Sequence, residues 1–440
     1  MGSIESRNPG NGWQRLVEWG TSVGTLFLLD QGLASCFHDL GWTFPSPLAG
    51  MFLILATLWL LADAMGFESG MMLAFFQPGI DWVQKWLPLF YLAPLVVLPR
   101  QLASFSGADL LSIFFVVSTG WVANLWVTSK VTLWIRKITQ REIRTQPSPP
   151  PLPESSSRLI IAWATMAGLS FCLLSFVGSP LLFWVRLAFM MATTVCGLFA
   201  GNLVQRKTGG AIHSIVTCAA MAHLGAGISG VVEGTGWNGG VDEYLPQEAG
   251  SWGAGTLFMS FLGAVILSFG CSVFGQRSTM VHHRWEIAAG ITTCSLFSMF
   301  STVLMGRVLG MQPDIILALT PRSVTVALAL PIATTLGSSL SSVTAGAVVL
   351  TGLLGANFSH VVLDWFGAED AIVRGIAAAS SGHGLATAAL GSHEPDALPF
   401  CSLAYALSGV TGTLFVQIPF VNSLLVGLAN GNGIPVQGDP

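Results

Sequence analysis

Long apolar runs alternate with short polar connections along almost the whole chain. Runs of about 17 to 25 apolar residues are long enough to cross a bilayer as α-helices. Such runs predict crossings at residues 19–37, 47–65, 82–98, 110–134, 159–177, 181–203, 212–231, 257–274, 287–309, 344–363 and 398–418. Two further runs, residues 315–334 and 371–390, are interrupted by proline, glycine and polar residues. The pattern predicts an all-α integral membrane protein with about 12 transmembrane helices, two of them discontinuous.

Composition strengthens this interpretation. The 440 residues are 52% hydrophobic and 9% charged, whereas a soluble domain carries about 25% charged residues. Lipid is therefore the expected surrounding, and a net charge of −4 argues against a nucleic-acid partner. The seven cysteines show no CxxC spacing, so the sequence predicts neither a disulfide framework nor a metal site or other cofactor.

Residues 138–158 interrupt the apolar pattern with the stretch QREIRTQPSPPPLPESSS. Proline, serine and charge at this density are typical of an extended flexible linker. The sequence therefore predicts a four-helix front module at residues 1–137, a linker at 138–158 and a longer module at 159–440.

Charges in the connections predict an orientation. Basic clusters at residues 136–158, 206–207 and 277–284 are each separated by two predicted crossings, whereas the loop 232–251 has acids and no lysine or arginine. The positive-inside rule places the basic side in the cytoplasm or its organellar equivalent. The first residues show neither a cleavable signal peptide nor a clear transit peptide, which leaves organelle and plasma membrane both open.

Each interrupted run contains a titratable residue at a helix-breaking position. Pro321 precedes Arg322, and Gly382 and Gly384 flank His383. An irregular, charged stretch at membrane depth is tolerated only when it is packed in protein or lines a wet cavity, and such residues are functional-site candidates. Each break predicts a short loop that opens a half-helix, whose N-terminus attracts anions.

Two such N-termini facing each other near the midplane would form a site for a carboxylate. Arg322 could bind that carboxylate through two charge-assisted hydrogen bonds, and His383 could carry a coupled proton. The predicted substrate-binding residues are Arg322, Ser323, Thr325, Asn357, Ser381, His383, Gly384 and Thr387. Two structural alternatives stay open: an internal acid that pairs with Arg322, and hydroxyls of Thr325 and Thr387 that bond their own helices.

Other polar residues receive structural interpretations. Asp30 lies deep in an apolar run and is predicted to pair with a cation. His360 and Asp364 stand one helical turn apart and are predicted to form a solvated pair. Arg374 opens the second interrupted run and is predicted to lie at the mouth of a cavity.

Long segments resemble a known family. The back module resembles the LrgB (CidB) membrane proteins in the stretches PRSVTVALA, SVTAGAVVLTGLLGANF and RGIAAASSGHGLATAAL. The front module resembles LrgA (CidA) in the stretches FPSPLAGM and WLPLFYLAPLVVLP. Fused LrgA–LrgB chains share this arrangement, and the resemblance covers nearly the whole sequence apart from its ends and the linker.

The resemblance implies an inverted-repeat carrier of small 2-hydroxy carboxylates that exchanges glycolate and glycerate or moves them with protons. It implies that Arg322 and His383 line the translocation site, and that the membrane is the plastid or chloroplast inner envelope. A holin-like pore or pore regulator is the alternative that bacterial relatives suggest, and a homodimer through the front module stays open. An enzyme is disfavoured, because no nucleophile–base pair stands at membrane depth.

Overall fold

The computed structural model describes residues 12–42, 44–64, 69–143, 157–176, 179–210, 212–246 and 250–431. Most of the predicted linker, residues 144–156, lies outside them. The described residues form no strand, one short 3-10 helix at Pro395–Ala397, and 19 α-helices. The helices are α1 (Gly12–Asp39), α2 (Ser46–Ala64), α3 (Ser69–Phe90), α4 (Ala93–Leu102), α5 (Gly107–Thr139), α6 (Ser157–Leu174), α7 (Ser179–Lys207), α8 (Ser214–Glu233), α9 (Gly236–Tyr244), α10 (Ala254–Met259), α11 (Leu262–Gly275), α12 (Arg277–His282), α13 (Arg284–Val308), α14 (Pro313–Leu319), α15 (Val326–Thr335), α16 (Ser341–Trp365), α17 (Ala371–His393), α18 (Leu398–Gln417) and α19 (Pro419–Asn430).

Within the described residues, nine spans are long and apolar enough to cross a membrane. The other predicted crossings fall on α1, on α3 with α4, on α14 with α15, and on α17. The prediction of an all-α, multi-pass membrane protein is therefore confirmed.

One compact unit comprises Met1–Leu87 and Phe261–Gly275. In it α11 packs against α1 and α2, and Gly270 lets α11 approach the Met51 carbonyl, which lies 2.7 Å from where a Cβ would stand. The Asp30 carboxylate packs on Gly263 and accepts a hydrogen bond from Gln31 (3.2 Å). The predicted cation partner of Asp30 is not found among the described residues.

The second unit comprises Pro88–Ser260 and Gln276–Pro440. Helices α6 to α9 pack in chain order, while α5 packs against α13, α16 and α17. A capping box between Ser106 and Asp109 starts α5, and the Asp370 carboxylate caps α17. Helix α5 belongs to the predicted front module and α11 to the predicted back module, so packing joins helices from both segments of chain; the module boundaries at 137 and 159 stay a prediction.

Both predicted interruptions are present in this unit. Helix α14 ends at Leu319, and Pro321, which has no N–H to continue the ladder, begins the turn that leads to α15. In α17 the backbone leaves the helical region at His383, where φ is 43° and ψ is −143°. A positive φ is costly for a residue with a Cβ, about 1–3 kcal/mol, so packing must hold this break in place.

Two of the predicted basic clusters lie on the same side. The Arg141 guanidinium donates to the His282 carbonyl, and the His282 ring lies 3.2 Å from the Glu142 carbonyl. The C-terminal end of α5 and the start of α13 therefore meet at one face of the bundle, as the charge pattern predicts.

Candidate functional site

Arg322 lies in the turn between α14 and α15 and is 0% exposed. Its Nε donates to Thr302 Oγ1 on α13 (2.9 Å). Its Nη1 and Nη2 have no hydrogen-bond partner, and no carboxylate forms an ion pair with it, within the part of the chain that the structure describes. A buried guanidinium with two free donor nitrogens is prepared to bind an anion.

Helix α5 forms the wall beside this guanidinium. A Cβ on Gly120 would lie 2.5 Å from Arg322 Nη2, so an alanine there would displace the guanidinium. The front segment of the chain therefore contributes directly to the surroundings of Arg322.

Arg374 differs sharply from Arg322. Its Nε lies 2.6 Å from Glu394 Oε2, and its Nη1 lies 2.6 Å from Asp364 Oδ1 and 2.8 Å from the Ala368 carbonyl. Arg374 thus holds α17 against its neighbours. Its donor nitrogens are engaged by these partners, so its predicted place at the mouth of a cavity stays a prediction. The predicted His360–Asp364 pair is replaced by this arrangement, and His360 stacks on His393 instead (5.3 Å between ring centroids).

His383 stands at the break of α17 and is 6% exposed. Its Nε2 lies 2.8 Å from the Val348 carbonyl on α16, which requires a hydrogen on Nε2 in either protonation state. The ring packs over Gly352, where a Cβ would lie 2.5 Å from Cε1. Helix α16 therefore holds the imidazole in place.

Cys294 on α13 connects the surroundings of the two breaks. Its Sγ lies 2.9 Å from Asn124 Nδ2 and 3.8 Å from Ser381 Oγ, just before the break in α17. Asn124 lies one helical turn after Gly120, which borders the Arg322 guanidinium. The structure thus brings Ser381 and Arg322 to one small region.

Tyr405 on α18 also touches both breaks. Its hydroxyl is hydrogen-bonded with that of Thr325, the residue that precedes α15. Its ring lies 3.3 Å from where a Cβ on Gly384 would stand. Sequence reasoning missed Tyr405; the available signal was a tyrosine, one of 3 in the chain, inside an apolar run.

The remaining predicted residues are placed as follows. Ser323 is buried in the turn with Arg322. Thr387 donates to the His383 carbonyl (3.0 Å) and Asn357 to the Leu353 carbonyl (2.8 Å), each within its own helix. The hydroxyl of Thr387 thus follows the structural alternative, and the substrate-binding roles of these three residues stay predictions.

Sequence reasoning also missed two polar stripes that repeat every fourth residue on facing helices. The stripe on α5 contains Gly120, Asn124, Thr128 and Thr132. The stripe on α13 contains Glu286, Gly290, Cys294, Ser298 and Thr302. Residues four apart are neighbours on a helix surface, so the repeated small and polar positions within these apolar runs were a readable signal. We call the two facing stripes the α5–α13 seam.

A bundle of membrane-length helices that buries an unpaired guanidinium beside two helix breaks defines a multi-pass membrane transport protein. Comparison with known proteins identifies the family within this class. Residues 248–421 match the LrgB-like family. Over 408 residues the chain is 38% identical to plastidal glycolate/glycerate translocator 1, chloroplastic, of Arabidopsis thaliana, across 92% of this chain and 80% of that protein. The chain belongs to the LrgB-like family that includes this translocator.

Bacterial relatives match a shorter part. An uncharacterized protein of Haemophilus influenzae is 26% identical over 166 residues, which are 38% of this chain and 71% of that protein. The uncharacterized protein YwbG of Bacillus subtilis is 28% identical over 170 residues, which are 39% of this chain and 68% of that protein. No solved structure matches the chain.

Proposed function

We propose that this protein is a secondary carrier of small 2-hydroxy monocarboxylates, with glycolate and glycerate as substrates, and that it works by alternating access. The observation that carries the proposal is Arg322, fully buried at a helix break with two donor nitrogens that no described residue engages. The printed name of the Arabidopsis relative supports the choice of substrates.

The chemistry of the site fits a 2-hydroxy acid. The carboxylate binds Nη1 and Nη2 of Arg322 as a bidentate pair, and Ser381 and Thr325 supply hydroxyls for the substrate's own hydroxyl. Hydrogen bonds to a charged group contribute about 1.5–3 kcal/mol each. Because Gly120 lies against the guanidinium, we expect only a small acid to fit there.

We also propose the membrane in which the carrier resides and its partners there. The chloroplast membrane is the proposed location, because the relative's name states it, and membrane lipid surrounds the exposed apolar side chains of the spans. A homodimer is a further part of the proposal, and no chemical conversion of the substrate is involved.

Counterflow of labelled glycolate and glycerate in proteoliposomes tests the proposal. We expect saturable counterflow, and in Arg322→Ala a fall of at least tenfold, since each 1.4 kcal/mol of lost binding is tenfold in affinity. The matched control is Arg100→Gln, because Arg100 forms an exposed ion pair with Asp242 that contributes little. Non-saturating flux of unrelated solutes would instead indicate a pore.

The proton-coupling role predicted for His383 belongs to the same proposal. We expect His383→Ala to reduce uptake driven by a pH gradient more than it reduces exchange, because only net transport requires the proton. Equal losses in the two assays would contradict a proton role for His383.

A further inference from the structure

The α5–α13 seam leads from Arg322 to the face of the bundle that carries Arg141. Arg322 lies between Gly120 and Thr302, and the next level pairs Asn124 with Cys294. Thr302 and Glu286 are 302 − 286 = 16 residues apart on α13, which is roughly 24 Å along a helix.

The far end of the seam closes on a buried acid. A Cβ on Gly290 would lie 2.6 Å from Thr132 Oγ1, and nearer the C-terminal end of α5 Thr139 donates to Glu286 Oε1 (2.6 Å). Polar contacts between α5 and α13 thus recur from Asn124 to the carboxylate.

Polar atoms without a protein partner recur along this route. Within the described residues they include Arg322 Nη1 and Nη2, Asn124 Oδ1, Ser298 Oγ, Thr132 Oγ1 and Glu286 Oε2. Leaving a buried polar atom unsatisfied costs about 1–3 kcal/mol, and apolar side chains would pack the same helices without that cost. A file of water molecules satisfies such atoms where each has several polar neighbours.

Glu286 is 0% exposed and lies next to a surface groove. Charged and titratable groups surround it: the His283 Nδ1 lies 3.8 Å from Oε1, and Arg136 and His282 stand close to that ring. The groove has a volume of about 680 Å³, and Thr139, the hydrogen-bond partner of Glu286, is one of its lining residues. One hydroxyl therefore separates the buried carboxylate from the surface.

We propose that the α5–α13 seam is a proton path, with Glu286 exchanging protons with water in the groove and the carboxylate bound at Arg322 as the other end. This inference rests on the proposed function. Helices α5 and α13 approach closely at Gly290, where a Cβ would lie 2.6 Å from Thr132 Oγ1, so an organic acid cannot pass between them there. Hydroxyls and water can each accept one proton and donate another.

The proton balance is simple. A proton from water joins the Glu286 carboxylate, moves along hydroxyls and water, and forms an O–H bond with the substrate carboxylate. Arg322 keeps its own protons throughout. The substrate then becomes a neutral acid, its ion pair with Arg322 is lost, and it leaves a site that would otherwise hold it tightly in a medium of low dielectric constant.

Glu286→Gln tests the path in proteoliposomes with labelled glycolate. We expect uptake driven by a pH gradient to fall at least tenfold more than counterflow at equal pH. Thr132→Val removes one seam hydroxyl at nearly constant shape. It should also reduce gradient-driven uptake more than counterflow, but by a smaller factor. Thr119→Val is the matched control, because that hydroxyl bonds its own helix at the Phe115 carbonyl on the opposite face of α5.

The outcomes separate this inference from the proposed function. Equal losses of uptake and counterflow in Glu286→Gln, or a pH gradient that drives no uptake in the unaltered protein, would overturn the proton path and leave the carrier intact. Absence of saturable counterflow in the unaltered protein would overturn the carrier itself.

Cys294 offers a second measurement that does not require substitution of Glu286. In a protein that keeps only this cysteine, we expect hydrogen peroxide, which is little larger than water, to oxidise the thiol at least tenfold faster than in a protein that keeps only Cys271. Cys271 is the control because it packs among Leu58, Ile80 and Phe274 in an apolar cluster. Glycolate should slow the reaction at Cys294, and equally slow oxidation of the two cysteines would show that the seam is dry.

Discussion

Two buried arginines in this bundle have opposite surroundings. Arg374 donates hydrogen bonds to Glu394, Asp364 and a backbone carbonyl. Among the described residues, Arg322 donates only through its Nε. The carboxylates of Asp364 and Glu394 are 65% and 26% exposed, so water partly screens these ion pairs, and Arg374 serves to hold α17 against its neighbours. An unpaired guanidinium costs stability, and that cost is retained where an anionic ligand supplies the partner.

At the residue scale, Gly120→Ala tests whether the space beside Arg322 binds substrate. The added methyl would lie 2.5 Å from Nη2 and should raise the half-saturating glycolate concentration about tenfold or more in counterflow. Gly168→Ala on α6 is the control, because nothing lies within 4 Å of the position of its Cβ. Unchanged affinity in Gly120→Ala would show that the substrate does not reach this side of the guanidinium.

At the scale of the element, the two helix breaks form by different local means. Pro321 ends the helical ladder by its missing N–H, whereas His383 is held at positive φ by its contacts with Val348 and Gly352 on α16. The breaks lie far apart in the chain and share contact with Tyr405. A shift of α18 would therefore move both half-helices, which would serve the alternating access that we propose.

Tyr405→Phe removes the hydroxyl that bonds with Thr325 and should lower stability by about 0.5–1.5 kcal/mol. We expect a larger effect on transport, with the counterflow rate reduced severalfold, because the α15 break loses its tie to α18. Tyr244→Phe is the matched control: its hydroxyl lies 3.1 Å from Thr194 Oγ1, so thermal unfolding should respond similarly. Equal transport rates in the two variants would remove Tyr405 from the transport machinery.

At the scale of the whole second unit, charge separates the two ends of α5. Beyond its C-terminal end, Arg141 and Glu142 contact His282. Before its N-terminal end, Arg100 pairs with Asp242 in the acidic connection. Helix α5 has 33 residues, about 50 Å at 1.5 Å per residue, which exceeds the thickness of a bilayer. We therefore expect the basic and acidic ends of the unit to face opposite sides of the membrane.

Cysteine accessibility checks this orientation. In a cysteine-free background, Val281→Cys and Trp252→Cys occupy exposed positions near the basic and the acidic end respectively. We expect an impermeant thiol reagent to label only one of them from outside sealed vesicles, and the other after the vesicles are opened. Labelling of both from the same side would contradict the predicted arrangement of charges.

The sequence by itself determined the features that depend on local physics. Hydropathy defined the membrane class, Pro321 and the glycines beside His383 placed both breaks, and a guanidinium among apolar residues marked the site. The family followed from long matching segments, since similarity over most of a chain does not depend on knowing its contacts.

Only the tertiary structure decided which side chains meet, because contacts between helices depend on packing that no single segment encodes. It placed Gly120 beside Arg322 and Cys294 against Asn124, brought Tyr405 to both breaks, and gave Arg374 its carboxylates. It also showed that the side chains of Asn357 and Thr387 hydrogen-bond to carbonyls of their own helices. A periodic stripe shows which face a residue shares, whereas the neighbour of that face is set by the whole bundle.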